Sequence, residues 1–414
     1  MSGERRGFLH QLARLGAGRL GGAVGSAVWF VVVVHHLDQS AVGDLALLLS
    51  LGAMFGLLAD GGYSVVLQAM VAADPESGAS AFAAVARKRL PLGLGAAALT
   101  SAVWLTTAHD ADVRVAAVFS VSIIATTLYT SAGVTMRALG HAGVEGANET
   151  ISRVGVLALG WWLLDRHGGL LAAATVYALA DVASALVLTA LFRRRFGSRV
   201  GPVDGRVLTA RRVAPVFLAA ALGTTYYRID LLMVHVIKGA PTAALYATSY
   251  RVFEAVMLPA GAVAALVLPA VFRAAKEDRA RVALRITGVA VALTLVGAVV
   301  VELFARNLLD AVFGGSYASA AGSLRVLGLA TIVTSATTVL AQVHAVWRPG
   351  RLAVVWSIAL VVNVGLNLVL IPRYAAAGAA WATLLCQLGV VVVLLRDTRN
   401  LAGAASERSL LLTT

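Results

Sequence analysis

Apolar stretches long enough to cross a membrane follow one another along almost the whole chain, and they restrict its fold more than any other feature. A spanning helix needs about 20 mostly apolar residues. The 414 residues contain twelve such stretches, centred near Val28, Leu51, Ala98, Ile123, Leu159, Val182, Ala221, Pro259, Leu293, Ile332, Val361 and Leu388. Because backbone groups inside a bilayer must be hydrogen-bonded internally, each stretch predicts a helix. The predicted fold class is an all-α polytopic membrane protein with twelve transmembrane helices.

Two of these stretches, around Leu51 and Pro259, run on past about 25 residues. This is longer than a straight crossing requires, so both spans are predicted to be tilted or kinked.

The composition agrees with a membrane protein and excludes other classes. Only 13% of the residues are charged, whereas a soluble domain has about a quarter. The net charge of +13 does not indicate nucleic acid as a partner, because the basic residues lie between apolar runs rather than in one patch. The single cysteine, Cys386, excludes an intrachain disulfide and any multi-cysteine metal site, and no metal or cofactor is predicted.

The basic residues also orient the spans. If the N-terminus is inside, most of the 34 Lys and Arg residues fall in inner segments. The outer segments contain Arg114, Arg166, Lys238, Arg306, Arg325 and Arg373. This bias predicts that both termini are cytoplasmic and that inner arginines lie beside anionic membrane lipid. The basic start, Met1–Arg19, is not followed by a convincing small-residue cleavage site, so no cleaved signal peptide is predicted.

The chain divides into two similar halves. Its longest polar break, Arg193–Arg212, leaves six spans on each side, which predicts an N-terminal lobe of residues 1–200 and a C-terminal lobe of residues 201–414. The segment that begins at Val42 resembles the one that begins at Ala243, and two later pairs repeat at a similar offset. Six spans is an even number, so the halves are parallel repeats. In such transporters the substrate site lies between the halves near the membrane midplane.

The first span contains a dense glycine run, Gly16–Ser26. It predicts either a bendable segment or a close contact with another helix through small residues.

Four ionisable residues lie within the seventh and eighth spans. Arg228 precedes the turn at Gly239 by 11 residues and Arg251 follows it by 12. At 1.5 Å per residue, both lie about 16–18 Å from the turn, near the middle of the hydrocarbon layer. Glu254 shares a helix face with Arg251, and Asp230 is expected within reach of Arg251 by depth.

A lone charge at that depth costs about 3 kcal/mol, so these groups require an explanation. One hypothesis is a set of internal salt bridges that join the two spans. The other is a cationic site in a central cavity, which the acids tune or gate. Forked guanidinium donors suit the oxygens of a phosphate.

Other polar residues are further candidates for the same site. Arg19 and Arg153, at the predicted inner ends of spans one and five, either contact an incoming phosphate or extend their side chains to the interface. Asn363 and Asn367 share one face of span eleven, where they either line a cavity or join helices. Asp181, within span six, is either a proton-linked group or a buried hydrogen-bonded acid.

Tyr250 is a candidate for contact with a sugar through its hydroxyl or ring face. Packing in the protein core is the alternative.

The sequence resembles the polysaccharide-unit flippases of the multidrug/oligosaccharidyl-lipid/polysaccharide (MOP) exporter superfamily. The likeness covers most of the chain and is carried by the segments Tyr227–Phe272, Phe313–Ala330, Asn363–Gln387 and Ala41–Gly62. It implies the MATE-like plan of two six-helix lobes, in agreement with the twelve spans. In one departure, Ala375 stands where relatives often have glycine, which leaves the geometry of that turn open.

The resemblance also implies a function. These flippases move a polyprenyl-diphosphate-linked oligosaccharide across the bacterial plasma membrane for surface polysaccharides such as O-antigen or teichoic acid, and a polysaccharide polymerase and glycosyltransferases are the implied partners. The family's polar positions fall on Arg228, Asp230, Tyr250, Arg251, Asn363 and Asn367. A non-enzymatic transporter with a cationic cavity and alternating access is therefore expected.

Three other functions are considered. A multidrug or metabolite cation antiporter of the same fold would favour an acidic cavity, whereas here two arginines balance two acids. A membrane enzyme acting on the same glycan would need a large outer loop and a catalytic set, and neither is evident. A non-transporting scaffold would not explain the buried charges.

Overall fold

The computed structural model describes residues 21–74, 78–108, 111–196 and 210–399, and in these ranges the chain is helical apart from turns and short connections. Arg19 lies outside the described residues. The α-helices are α1 (Gly21–His36, within the described residues), α2 (Gln39–Asp60), α3 (Tyr63–Ala73), α4 (Gly78–Thr107), α5 (Val113–Ala138), α6 (Ala142–His167), α7 (Gly169–Phe196), α8 (Ala210–Lys238), α9 (Ala240–Arg273), α10 (Arg279–Phe313), α11 (Ala321–Trp347) and α12 (Pro349–Arg399).

Each of the twelve predicted span centres lies in one of these helices. Nine helices of the described chain are long and apolar enough to cross a membrane, and α12, with 51 residues, contains both of the last two spans. The remaining two spans correspond to the shorter α1 and to α6, whose first half carries Glu145, Glu149 and Arg153. The predicted all-α, multi-pass fold class is confirmed.

The long stretch around Leu51 is broken, as expected. The helix α2 ends at Asp60, and α3 begins at Tyr63 after Gly61 and Gly62, which both have positive φ angles, 54° and 77°. Glycine adopts this left-handed conformation without steric cost. The other long stretch forms the single 34-residue helix α9, which includes Pro259 and Pro269.

The contacts within the chain group it into two compact units, Met1–Phe217 and Leu218–Thr414. Each has apolar clusters of its own. In unit 1, Val66 and Leu67 of α3 pack with Val85 of α4 and Val134 of α5. In unit 2, Tyr226 of α8 packs against Trp356 of α12, with ring centroids 5.3 Å apart.

The described part of the glycine run in α1 makes a close helix contact. A Cβ atom added at Gly25 would lie 2.7 Å from the Cβ atom of Arg153 in α6. Further along the same pair of helices, a Cβ atom on Gly160 would lie 2.0 Å from the ring of Trp29. Small residues allow two helices to approach closely, so these glycines fit close packing between α1 and α6.

The turn between the eleventh and twelfth spans lies inside α12, at Ala375. This residue has φ 50° and ψ −130°, and among the described residues no other non-glycine residue has a positive φ angle. Three residues later, a Cβ atom on Gly378 would lie 2.3 Å from the carbonyl oxygen of Leu370. The helical segments before and after the turn therefore approach each other closely. Ala375, which stands where the flippases that the sequence resembles often have glycine, therefore occupies a position whose backbone favours glycine.

Replacing Ala375 by glycine should stabilise the protein, because a left-handed alanine costs about 1–2 kcal/mol and only part of that is offset by the greater freedom of glycine in the unfolded chain. We expect a gain of up to about 1 kcal/mol. Thermal unfolding of the purified protein in detergent measures it. The control is Ala376→Gly at the next, helical position, which should lower stability by about 1 kcal/mol. Equal effects of the two variants would contradict the strain at Ala375.

Candidate functional site

The ionisable residues of α8 and α9 meet across the turn at Gly239. Nη2 of Arg228 lies 3.1 Å from Oε1 of Glu254, and Nη1 of Arg251 lies 2.8 Å from Oε2 of the same carboxylate. Glu254 thus bridges two guanidinium groups, one on each helix. Taken together, these three side chains carry a formal charge of +1.

Tyr250 completes this cluster. Its ring lies under the guanidinium of Arg228, at 5.7 Å from the ring centroid, and its hydroxyl donates to the carbonyl oxygen of Tyr227 at 3.1 Å. An arginine over an aromatic face gains a favourable cation–π interaction. Tyr250 therefore orients Arg228 and also links α9 to the backbone of α8.

The cluster is only partly buried. The side chains of Arg228 and Glu254 each keep 31% of their exposure, and that of Arg251 keeps 23%. Arg228 makes one carboxylate contact among the described residues, through Nη2, whereas a guanidinium has five N–H donors. The predicted salt bridges are therefore present, and Arg228 has both accessible surface and donors for an anion.

Asp230 lies on the other side of α8, which corrects the expectation that it reaches Arg251. Its side chain is buried at 2% exposure and accepts hydrogen bonds from Asn367 at 2.7 Å, Thr383 at 2.5 Å and Tyr246 at 3.2 Å. Residues two apart on a helix point in different directions. Arg228 and Asp230 therefore face different neighbours, although their depths are similar.

The two candidate asparagines belong to the Asp230 cluster. Nδ2 of Asn367 also donates to Oδ1 of Asn363 at 2.9 Å, and both side chains are fully buried. In the described part of the chain, Oδ1 of Asn367 and Nδ2 of Asn363 have no hydrogen-bond partner. Neither asparagine is part of the arginine cluster, and both hold α12 close to α8.

The Asp230 cluster has the chemistry of a site for a proton or a monovalent cation. The residues that bond this carboxylate are neutral, and no basic group forms an ion pair with it within residues 210–399. A buried carboxylate without a counter-charge is costly, and it is relieved by protonation or by a bound cation. Side-chain oxygens of Asp230, Thr383 and the asparagines are the hard ligands that an alkali ion prefers. No group of three or more His, Cys, Asp or Glu residues suited to a metal ion occurs in the ranges that the structure covers.

Three residues of this region were not among the candidates predicted from the sequence. Thr383 and Tyr246 bond Asp230, and Gln387 donates to the hydroxyl of Tyr227 at 3.0 Å. Thr383 and Gln387 are four residues apart in an otherwise apolar helix, so they share one face. That polar pair was a usable signal, and it matches the spacing of Asn363 and Asn367.

The candidates of unit 1 form a separate group. The carboxylate of Asp181, on α7, accepts a hydrogen bond from the hydroxyl of Ser122, and Arg153 lies close enough to act on it electrostatically. Arg153 lies eleven residues into α6 rather than at its inner end, because the helix begins at Ala142 in a stretch of low hydropathy. Asp181 therefore has a cation nearby, unlike Asp230.

Solved structures of membrane transporters share the fold of this chain. An inward-facing multidrug-resistance transporter of the MATE family, in the MOP superfamily, has a TM-score of 0.73 at 14% identity, over 94% of this chain and 96% of that one. An outward-facing structure of such a transporter has a TM-score of 0.71 at 15% identity, over 96% and 97%. These proteins have twelve helices in two lobes, the plan predicted from the sequence.

A MOP superfamily transporter from Pyrococcus furiosus is similar to the same extent, with a TM-score of 0.71 at 14% identity over 97% of this chain and 96% of that one. It is described as having a binding pocket of reverse polarity that suggests a different function. No protein-family model and no curated protein matches the chain. The likeness to these transporters establishes the fold.

Removing the hydroxyl group through which Thr383 donates a hydrogen bond to Asp230 tests whether this bond stabilises the protein. Thr383→Val keeps the shape of the side chain but leaves the buried carboxylate with one donor fewer, so stability should fall by about 1–3 kcal/mol. Thermal unfolding in detergent measures the change. Thr398→Val is the matched control on the same helix, because Thr398 is fully buried but bonds only to the carbonyl oxygen of Leu394. A loss at Thr398 as large as that at Thr383 would contradict the assigned bond.

Proposed function

We propose that this protein is a transporter that moves an anionic, lipid-linked oligosaccharide across a membrane by alternating access. The substrate class is a polyprenyl diphosphate that carries a saccharide unit. The observation that carries the proposal is the partly exposed cluster of Arg228, Arg251 and Glu254, because ionisable residues at this depth are costly and commonly mark a substrate path.

The depth of the cluster supports this proposal. The helices α8 and α9 are continuous between the turn at Gly239 and the two arginines. The backbone of both arginines therefore lies about 16–18 Å along the helix from that turn, as predicted from the sequence. A diphosphate that passes the hydrocarbon layer loses its hydration there, and charge-assisted hydrogen bonds replace it.

Glu254 has a defined role in this mechanism. In the absence of substrate it holds the two guanidinium groups together through its two oxygens. An incoming diphosphate offers more oxygens and more negative charge than one carboxylate, so it competes with Glu254 for Arg228. Binding then opens the bridge between α8 and α9 at the level of the substrate, and release of the substrate restores it.

The coupling ion is assigned to Asp230. This carboxylate lacks a cationic partner within residues 210–399, whereas Asp181 has Arg153 near it. Uptake of a proton or a monovalent cation at Asp230 neutralises a buried charge and so changes the relative stability of the two access states. Asp181 is a second proton-linked candidate, and Arg19 and Arg153 are candidates for guiding the diphosphate.

The proposed orientation rests on the inner-side bias of the basic residues, and the proposed membrane and partners rest on the resemblance to the flippases. The protein lies in a bacterial inner membrane with both termini in the cytoplasm, and it works beside the glycosyltransferases that build the saccharide and the polymerase that extends it.

A cation antiporter for drugs or metabolites is the second candidate. The structures of the same fold described as multidrug-resistance transporters favour it. The accessible guanidinium of Arg228, whose side chain keeps 31% of its exposure, is less suited to a cationic drug than to an anion.

Arg228→Ala tests the anion site. Transport of a fluorescent diphosphate-linked saccharide into proteoliposomes should fall by about 10- to 100-fold, because one charge-assisted contact contributes about 1.5–3 kcal/mol. Arg228→Lys should recover only part of the activity, since a lysine has no fork. The control is Arg306→Ala at an exposed arginine of α10.

Two outcomes would contradict the anion site. One is a lower amount of folded protein with normal transport per molecule, which would mean that Arg228 only stabilises the protein through its salt bridge. The other is normal glycan transport in Arg228→Ala together with altered drug tolerance of a deletion strain, which would favour the antiporter.

Asp230→Asn tests the coupling site. The amide keeps the shape but cannot gain or lose the coupling charge, so transport should no longer depend on the pH or sodium gradient. Proteoliposomes with imposed gradients measure this dependence, and substrate binding to the detergent-solubilised protein should stay within about threefold of the wild type. Asp181→Asn is the comparison. If it, and not Asp230→Asn, removes the gradient dependence, the coupling site lies in unit 1.

A further inference from the structure

A cationic cavity lies where the first and last turns of α12 meet, apart from the Arg228–Arg251–Glu254 cluster on α8 and α9. It has a volume of about 590 Å³ and is lined by Arg348, Arg351, Val392, Val393, Arg396 and Asp397. Arg348 occupies the turn between α11 and α12, Arg351 lies in the first turn of α12, and Arg396 lies in its last turn. Because α12 turns back at Ala375, residues more than 40 positions apart share one cavity.

The lining contains one carboxylate and three guanidinium groups. Asp397 is buried and takes both contacts from Arg351, Nη2 to Oδ1 at 2.7 Å and a second, shorter one from Nε. No ion pair is found for Arg348 or Arg396 within the described chain. The lining groups therefore carry a formal charge of +2, and two of the arginines have no carboxylate partner among the described residues.

The wall beside these arginines is apolar and accessible. Val392 keeps 64% of its exposure and Val393 keeps 38%, one turn before Arg396. A soluble anion gains nothing from valine methyl groups. A ligand with a negative head and a hydrocarbon tail uses both parts of the cavity, since the head meets the guanidinium forks and the tail lies along the valines.

The position along the chain indicates which leaflet is involved. Arg348, Arg351 and Arg396 belong to the segments that the basic-residue bias places on the inner side. Basic pockets between helices on that side bind the head groups of anionic lipids. We propose that this cavity binds the phosphodiester head of one anionic phospholipid of the inner leaflet, with Arg348 and Arg396 as its ligands and the Arg351–Asp397 pair as the support that keeps the cavity open.

This site is independent of the transported substrate. It lies at the end of α12, whereas the transport cluster lies on α8 and α9, and nothing in the proposal requires a saccharide or a diphosphate. A bound lipid joins the turn after α11 to the last turn of α12 and so holds the two ends of this long helix together.

Native mass spectrometry of the full-length protein in detergent tests the proposal. Phosphatidylglycerol and phosphatidylcholine are titrated separately, and the number of retained lipids is counted. The wild type should retain one phosphatidylglycerol molecule in preference to phosphatidylcholine. Arg348→Ala and Arg396→Ala should each weaken that binding by about fivefold, and the double variant by about 30-fold, since each arginine near the surface contributes about 1 kcal/mol.

The control is Arg273→Ala, which removes an exposed arginine of the same predicted side whose guanidinium only bonds the backbone of its own helix. It should leave phosphatidylglycerol binding unchanged. Arg351 and Asp397 are not substituted, because removing either one would leave the other without its ion-pair partner. Melting temperatures measured in phosphatidylcholine alone check that the variants fold. If the double variant does not fold, the two single variants are compared with the wild type instead.

Two results would overturn the proposal. One is wild-type retention of phosphatidylglycerol by the folded double variant. The other is displacement of the lipid by soluble glycerol phosphate at equal concentration, which would make this a site for a free phosphate ester rather than for a lipid.

Discussion

A charge within the hydrocarbon layer needs a partner that stays with it, and the polar residues of unit 2 follow from this requirement. The structure meets it in two ways. Glu254 is neutralised by two arginines and stays partly exposed, whereas Asp230 is buried among neutral donors from α9 and α12. The first arrangement leaves Arg228 with accessible surface and N–H donors. The second leaves negative charge that a cation or a proton can use.

Most of the fold could be predicted from the sequence, because length and hydropathy alone decide whether a segment spans a membrane. All twelve span centres lie in helices for this reason. The polar half of α6 was harder, since Glu145, Glu149 and Arg153 lower its hydropathy although their helix continues to Ala142. The backbone at Ala375 could not be deduced from physics, because nothing in an alanine signals a positive φ angle. The expectation about this turn came only from the resemblance to the flippases, which often have glycine at this position.

The site was predicted less completely, because depth and rotation are different coordinates of a helix. Counting residues from Gly239 placed Arg228 and Arg251 at one level and paired Arg251 with Glu254 correctly. The same count suggested that Asp230 reaches Arg251, but two residues along a helix turn a side chain by about 200°. Which neighbour Asp230 then meets depends on the packing of α12 against α8, and no local pattern contains that information.

The two charge arrangements are mechanically linked through the same two helices. Arg228 and Asp230 are two residues apart on α8, and the tyrosines that touch them, Tyr250 and Tyr246, are four apart on α9 with ring centroids 5.9 Å from each other. A movement of α8 relative to α9 that breaks one contact therefore changes the other. If both ligands bind, the one at Asp230 and the one at Arg228 each bias the same displacement, and linkage requires that the bias be mutual. A transporter needs such a coupling, and a pair of isolated salt bridges would not provide it.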